Sequence, residues 1–78
     1  MADEFIAEFQ KNSTEKIRAR VGEYNKRKFA DLRIFYLDED SGEWKPTRKG
    51  IAFSPELWPE FKQMVDALEE ELQQQGLI

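Results

Sequence analysis

The 78-residue sequence contains no cysteine and no histidine. Their absence removes thiolate nucleophiles, disulfides, most zinc sites and the side chain that usually moves protons near neutral pH. We therefore expect no enzyme activity and predict no catalytic residue, no metal site and no cofactor. Asp38 and Asp40 could hold a metal in principle, but an acidic cluster in a turn is usually a solvated hairpin tip. Nothing near them in the sequence offers a nucleophile or a positioned base.

Long apolar runs are missing too. A membrane-spanning helix needs about 20 apolar residues, and a signal peptide begins with basic residues, whereas this chain begins with the acidic segment MADEFIAEFQ. We expect a soluble intracellular protein, cytoplasmic and nucleoid-associated if bacterial or phage, nuclear if eukaryotic. The length allows one small domain with a modest core, so self-association is an expected source of stability.

The charge is unevenly distributed along the chain. The net charge of -4 alone argues against a nucleic-acid partner, because phosphate binding is driven by basic surface. By segment, however, residues 1–10 carry -3, residues 11–53 carry +4 and residues 54–78 carry -5. The acids of the middle segment cluster between Asp38 and Glu43, so the bases around them can form a continuous face. A solvated surface of mixed charge explains the same counts equally well.

The middle segment has the pattern of a hairpin. From Lys16 to Val21 basic and apolar residues alternate, as expected for a half-buried strand with one basic face. Residues 25–27 form a polar turn, and residues 28–37, rich in aromatic side chains, are typical of a second strand.

A third strand and a helix follow. Residues 38–43 are the next turn, and residues 44–53 indicate a strand in which Pro46 belongs on an edge or at a bulge. Ser54 caps a helix expected over residues 55–75, which Gly76 ends. Pro59 is a misfit, because a proline in the second turn removes an intrahelical hydrogen bond. The apolar residues of this helix are spaced by three and four and form one stripe: Trp58, Phe61, Val65, Leu68 and Leu72.

One stretch is much more specific than the order of elements. GEWKPTRKGIAFSPELW, residues 42–58, resembles the signature G-E-x-K-P-x-R-K-G-I-x-x-x-P-E-x-W of the positive cofactor four family of transcriptional coactivators. The preceding IRARVGEYNKRKFADLRIFY is similar to the family's hairpin with its D-I-R pattern. The resemblance covers roughly residues 15–72.

The resemblance implies an architecture. It is an α+β fold in which a curved antiparallel sheet of three to four strands is followed by one C-terminal helix, assembled as a homodimer through the helical stripe given above. We accordingly divide the chain into a flexible N-terminal arm, residues 1–14, and a single-stranded-DNA-binding domain, residues 15–78. Nuclear members often carry a serine- and lysine-rich N-terminal tail that this chain lacks, which favours a bacterial or phage member.

The resemblance also implies single-stranded or melted DNA as the partner, bound with little sequence preference. The family's two stacking aromatics fall on Tyr24 and Tyr36, and a ring face stacks on any base. Basic residues near them would hold phosphates. Gly22 stands where an arginine is usual and Asn25 where a lysine is usual, so two charges are lost. The predicted DNA-binding residues are Lys16, Arg18, Arg20, Tyr24, Lys26, Arg27, Lys28, Arg33, Tyr36, Lys45, Arg48 and Lys49.

Tyr36 has a competing interpretation. Strict alternation places it on the same side as Ala30, Leu32 and Ile34, the side expected to pack against the helix. The resemblance favours DNA contact instead, which requires a bulge or the end of the strand near Phe35.

Other residues keep alternatives open as well. Phe29 and Phe35 could be stacking platforms or packing residues, and we favour packing for both. Lys45, Arg48 and Lys49 could simply protect an exposed strand edge.

The function therefore has two candidate classes. The leading one is a DNA-binding module with transcription or replication proteins as further partners and no membrane contact. The alternative is a protein–protein interaction domain that acts through the acidic C-terminal helix.

Overall fold

The computed structural model describes residues 5–78 as a four-stranded sheet followed by one long helix. The strands are β1 (Ala7–Asn12), β2 (Glu15–Tyr24), β3 (Arg27–Asp38) and β4 (Glu43–Phe53). A short 3₁₀ helix (Pro55–Leu57) leads into α1 (Trp58–Gln74). The sheet order is β1-β2-β3-β4, and every neighbouring pair is antiparallel. The predicted α+β fold is confirmed, with four strands.

The β2–β3 hairpin turns through two residues only. Asn25 and Lys26 both have positive φ, 52° and 65°, as a type I′ turn requires. Arg27 already belongs to β3, where it pairs with Tyr24. The turn is thus one residue shorter than the polar segment 25–27 predicted from the sequence.

The N-terminal segment differs from the predicted flexible arm. Residues 1–4 lie outside the described residues, but β1 pairs with β2 from Ala7 opposite Ala19 onward. A tight turn folds it back: the backbone N–H of Thr14 donates to Oδ1 of Asn12 at 3.0 Å, a local bond that favours such turns. Residues 7–12 are therefore an edge strand of the sheet.

The start of the helical segment accommodates both of its prolines, Pro55 and Pro59. Oγ of Ser54 accepts a hydrogen bond from the backbone N–H of Glu56 at 3.3 Å, which confirms the predicted cap. The first turn is a 3₁₀ helix, and α1 begins only at Trp58. Pro59 therefore lies in the first turn of α1, where its missing N–H costs no hydrogen bond, and the predicted misfit does not arise.

The helix ends as the sequence predicts. Gly76 has a φ of +73°, a left-handed conformation that costs glycine little. The backbone N–H of Leu77 donates to the carbonyl of Leu72 at 2.9 Å, and that of Gly76 donates to Gln73 at 3.0 Å. These two bonds form a Schellman motif that satisfies the last carbonyls of α1.

The core of a single chain is small. Among residues 5–78, Phe35 is the one buried large apolar side chain, at 5% exposure, and no residue of α1 is buried. Three rings join the helix to the end of β4: Phe53 and Phe61 have centroids 4.9 Å apart, and Trp58 lies 5.5 Å from Phe61. Trp58 nevertheless stays 47% exposed. No helix within residues 5–78 is long and apolar enough to cross a membrane.

Candidate nucleic-acid interface

The strand register divides the sheet into two different faces. Residues directly opposite each other in a ladder lie on the same face, and alternate residues of one strand lie on opposite faces. The pairs Lys16–Phe35, Arg18–Arg33, Arg20–Asp31, Gly22–Phe29 and Tyr24–Arg27 therefore share one side, which we call the basic face. It carries five cations of β2 and β3: Lys16, Arg18, Arg20, Arg27 and Arg33.

A buried carboxylate fixes two of these arginines. The side chain of Asp31 has no solvent exposure, and its Oδ2 accepts from Nε of Arg20 at 3.0 Å. Arg33 binds the same carboxylate in a two-pronged manner, with Nη2 at 2.8 Å from Oδ1 and Nε at 3.3 Å from Oδ2. Nη1 of Arg33 donates to the carbonyl of Thr47 in β4 at 3.1 Å. Bidentate bonds of this kind hold a guanidinium in one orientation.

A second carboxylate reaches the basic face from β1. Glu8 pairs with Arg18 through Nε at 2.9 Å and with Lys16 through Nζ at 3.3 Å. The hydrogen bond from Arg18 holds the pKa of the Glu8 carboxyl below its ordinary value. The Arg18 guanidinium also lies 4.2 Å from the ring centroid of Phe5 and 4.7 Å from that of Phe35. Its side chain is consequently only 11% exposed.

The basic face has a net positive charge despite these two acids. Five cations of β2 and β3 face two carboxylates, and each carboxylate is shared by two cations. The Nζ of Lys16 lies 4.5 Å from the ring centroid of Trp44, so aromatic rings are interleaved with the charges. A face with fixed cations and flat rings suits a ligand that is both anionic and aromatic.

The other side, which we call the apolar face, is largely uncovered. It carries Ile17, Ala19, Val21, Leu32, Ile34 and Ile51. Val21 is 58% exposed and Ile51 is 49% exposed, so the described part of the chain leaves much of this face open. A groove of about 360 Å³ runs along it between Ile17 and Ile51.

Comparison with known proteins places the chain in a family. Residues 11–64 match the family Transcriptional Coactivator p15 (PC4). The chain belongs to the PC4 family. This confirms the prediction drawn from the signature in residues 42–58.

Solved structures agree with that assignment. A PC4 homologue from Burkholderia pseudomallei is 35% identical, with a TM-score of 0.80 over 87% of this chain and 90% of its own. A bacteriophage T5 homologue of the eukaryotic coactivator PC4, implicated in recombination-dependent DNA replication, is 25% identical, with a TM-score of 0.63 over 99% of this chain and 84% of its own.

A Caenorhabditis elegans relative, named as an RNA polymerase II transcriptional coactivator, is 29% identical over 51 residues, which are 65% of this chain and 41% of the relative. The chain thus matches about two fifths of that relative's length.

The twelve predicted DNA-binding residues of this PC4 protein do not all share one surface. Six lie on the basic face: Lys16, Arg18, Arg20, Tyr24, Arg27 and Arg33. Three lie on the opposite side by register: Lys28, Tyr36 and Lys45. Lys26 is in the hairpin turn, and Arg48 and Lys49 are exposed in the irregular part of β4. Their assignment as DNA contacts stays a prediction.

The two tyrosines that match the PC4 stacking positions are separated. Tyr24 is on the basic face and 73% exposed. Tyr36 is opposite Glu15 and Lys45, on the side of the apolar face, as strict alternation requires. It is 40% exposed, however, so it is not a core residue. A DNA strand that reached from one tyrosine to the other would have to go around the β4 edge or around the end of the sheet.

The irregular part of β4 lies at that edge. Between Pro46, opposite Phe35, and Gly50, opposite Arg33, β4 has two more residues than β3, so the prediction that Pro46 lies on an edge or at a bulge is confirmed. A Cβ at Gly50 would lie 2.5 Å from the carbonyl oxygen of Leu32, which explains the glycine as a close backbone approach. Oγ1 of Thr47 donates to the carbonyl of Ile34 at 2.7 Å and holds the bulge in place.

Lys45, next to this bulge, is engaged by a neighbouring acid. Its Nζ lies 2.6 Å from Oδ2 of Asp38. The hydrogen bond lowers the pKa of Asp38 and raises the pKa of Lys45. A phosphate would therefore have to compete with Asp38 for this cation.

The predicted dimer-interface residues all leave apolar surface available. Val65 is 41% and Leu68 60% exposed, Trp58 is exposed as given above, and Phe61 and Leu72 are half-buried. Met64, which was not among the predicted interface residues, lies beside this stripe and is 61% exposed.

Sequence reasoning missed two acids that organise the basic face, Asp31 and Glu8. A two-residue turn at Asn25 and Lys26 sets Asp31 opposite Arg20, so the correct turn length would have revealed that pair. No comparable signal in the sequence pointed to Glu8, because its segment was expected to be a flexible arm.

Proposed function

We propose that this protein binds single-stranded or melted DNA with little sequence preference, without catalysing a reaction, and acts as a homodimer in a transcription-related process or another DNA process. The observation that carries the proposal is the basic face, on which fixed cations and aromatic rings share one side of the sheet. Its place in the cell would be with the DNA.

The chemistry of that face supports a single strand over a duplex. Cations that contact phosphates supply affinity that does not depend on sequence and that falls with salt. The exposed ring of Tyr24 offers a flat surface to a base, and only unpaired bases expose their faces for stacking. The T5 homologue's implication in recombination-dependent DNA replication and the coactivator names of the family and the worm relative agree with DNA as the partner.

The poor burial of a single chain supports the proposed homodimer. With Phe35 as the one buried large apolar side chain among residues 5–78, the chain has little core of its own. A domain this small needs a further source of stability, and the apolar face and the stripe of α1 offer surface to a second copy. Both surfaces belong to every copy, so a symmetric pair would cover them together.

The decisive experiment is a titration of one sequence as single strand and as duplex at two salt concentrations. We expect tighter binding to the single strand and a linear fall of log K with log salt. Arg27→Ala, on the basic face, should lower the salt slope by about 0.7 unit for one lost phosphate contact on a single strand. Lys62→Ala is the matched control, because it removes an exposed cation from α1.

If the duplex bound as tightly as the single strand, or if Lys62→Ala lowered the salt slope as much as Arg27→Ala, the basic face would not be the binding surface. If no nucleic acid bound at all, the acidic helix as a protein-binding surface would become the better hypothesis.

A further inference from the structure

Phe29 lies on the basic face in an unusual contact with its ladder partner. It is directly opposite Gly22, and an ideal Cβ on that glycine would lie 2.3 Å from Cζ of Phe29 and 2.7 and 2.8 Å from its two Cε atoms. These three distances fit a point above the plane of the ring, not a point beyond its edge. The ring therefore lies flat on the backbone of Gly22, which is buried beneath it.

This packing leaves one ring face pointing away from the sheet. No residue with a Cβ could occupy position 22 without moving the ring, so glycine at this position allows the ring to lie against the backbone. The Arg20 guanidinium carbon is 5.7 Å from the ring centroid. This distance is within the range of a cation–π contact, so Arg20 places a cation next to the ring, and the half-buried Phe29 keeps exposed surface.

Phe29 shares an open cleft with Tyr24. The cleft has a volume of about 640 Å³, and its described lining residues include two cations, Arg27 and Lys28, and no carboxylate. Tyr24 and Phe29 are diagonal neighbours in the ladder, for which side-chain positions are about 7–8 Å apart. Two flat rings at this spacing, with cations in the lining of the same cleft, suit the bases and phosphates of one strand.

We propose that Phe29 is a base-stacking residue, and that the cleft it shares with Tyr24 holds a nucleotide of the bound single strand. This rests on the proposed function and assigns to Phe29 a role in binding beyond the packing role expected from the sequence. Because the half-buried ring already lies against the sheet before the ligand arrives, little ordering remains to oppose binding.

Phe29→Leu tests the proposal, because leucine keeps an apolar side chain but has no ring face. Loss of one stacked base is worth a factor of about 5 to 150 in affinity for an oligothymidylate. Phe29→Tyr keeps the ring face and should bind like the wild type. Gly22→Ala keeps the ring in the chain but displaces it, so it should weaken binding as well.

The readout that separates stacking from a structural role is a scan with oligonucleotides that each carry one abasic residue. For the wild type, one abasic position should weaken binding, and in Phe29→Leu that same position should cost nothing further. Phe9→Leu, at an exposed phenylalanine on the other side of the sheet, is the control and should keep the wild-type scan. Thermal melting of each variant shows whether it is folded. If Phe29→Leu is unfolded, the abasic scan is made with Gly22→Ala and Phe29→Tyr instead.

The outcomes separate this proposal from the proposed function. If the wild type binds oligonucleotides and the scan is unchanged in folded Phe29→Leu, the stacking role of Phe29 is overturned while DNA binding stands. If the wild type binds no oligonucleotide under any salt condition, the proposed function fails and this proposal fails with it.

Discussion

Asp31→Asn is the substitution that most directly tests how the basic face is built. Asparagine has nearly the same shape as aspartate, so the change removes a charge without leaving a cavity. The carboxylate accepts three hydrogen bonds, one from Arg20 and two from Arg33. If the amide nitrogen replaces Oδ1, the 2.8 Å bond from Arg33 is lost and two donors face each other. If the amide nitrogen replaces Oδ2 instead, the bonds from Nε of Arg20 and Nε of Arg33 are both lost.

The magnitude follows from the burial of these groups. Breaking a buried ion pair costs about 3–5 kcal/mol, because it leaves a charge without a partner. The Arg20 and Arg33 side chains keep 33% and 23% exposure, so water can partly replace the carboxylate and the cost should be near the lower limit, about 3 kcal/mol. In a domain of this size that corresponds to a fall in Tm of roughly 12–24 °C.

Thermal melting at fixed protein concentration is the assay, because the melting of an oligomer depends on concentration. Asp40→Asn is the matched control: it makes the same chemical change in the exposed β3–β4 turn and should move Tm by no more than about 4 °C. A Tm for Asp31→Asn within the range of that control would show that the Asp31 carboxylate does not stabilise the fold through Arg20 and Arg33. At temperatures where the variant is folded, the salt slope for single-stranded DNA should not decrease, since the substitution makes the basic face more positive by one unit of charge.

Two further predictions concern the edge strand and the dimer. Glu8→Gln should tighten binding to single-stranded DNA and steepen the salt slope by about 0.7 unit for each additional phosphate that the protein neutralises, because Arg18 no longer has a competing carboxylate; equal slopes in the two proteins would contradict this. The folded pKa of Glu8 is lowered, so its pairing stabilises the fold above the ordinary glutamate pKa and is lost as the pH falls through the lowered value, and acid should mimic the variant. Leu68→Asp should dissociate or unfold the protein in light scattering, whereas Gln63→Asp on the opposite side of α1 should not; a folded wild-type monomer at high concentration would disprove the dimer.

Much of the fold could be predicted because local signals agree with each other. The cap at Ser54 and the stop at Gly76 are set by backbone chemistry within a few residues, and both are confirmed. The alternation from Lys16 to Val21 gives a strand with one basic side, and the register confirms which residues share it. Pro46 pointed to an edge or a bulge because a residue without an N–H cannot complete a ladder.

What failed depended on register or on distant partners. A turn of three residues instead of two shifts the ladder by one position, and such a slip hides the pairing of Asp31 with Arg20. The β1 strand is held by pairing with β2 and by the bonds of Glu8 to side chains ten and eight residues away, which no local pattern contains. Tyr36 shows the opposite case, since simple alternation gave its side of the sheet correctly while its exposure had to come from the structure.

The acids on the basic face also bear on how an acidic protein could bind an anionic ligand. The net charge of -4 is a property of the whole chain, and the strongly acidic segment 54–78 forms the helix after the sheet. Within the basic face, Asp31 removes one charge but fixes the orientation of Arg20 and Arg33, so the arginines need not lose side-chain freedom when a phosphate binds. Glu8 differs, because it is exposed and can be displaced from Arg18 by a stronger anion. The two carboxylates thus have opposite expected effects on binding: removing Asp31 should mainly cost stability, while removing Glu8 should mainly increase affinity.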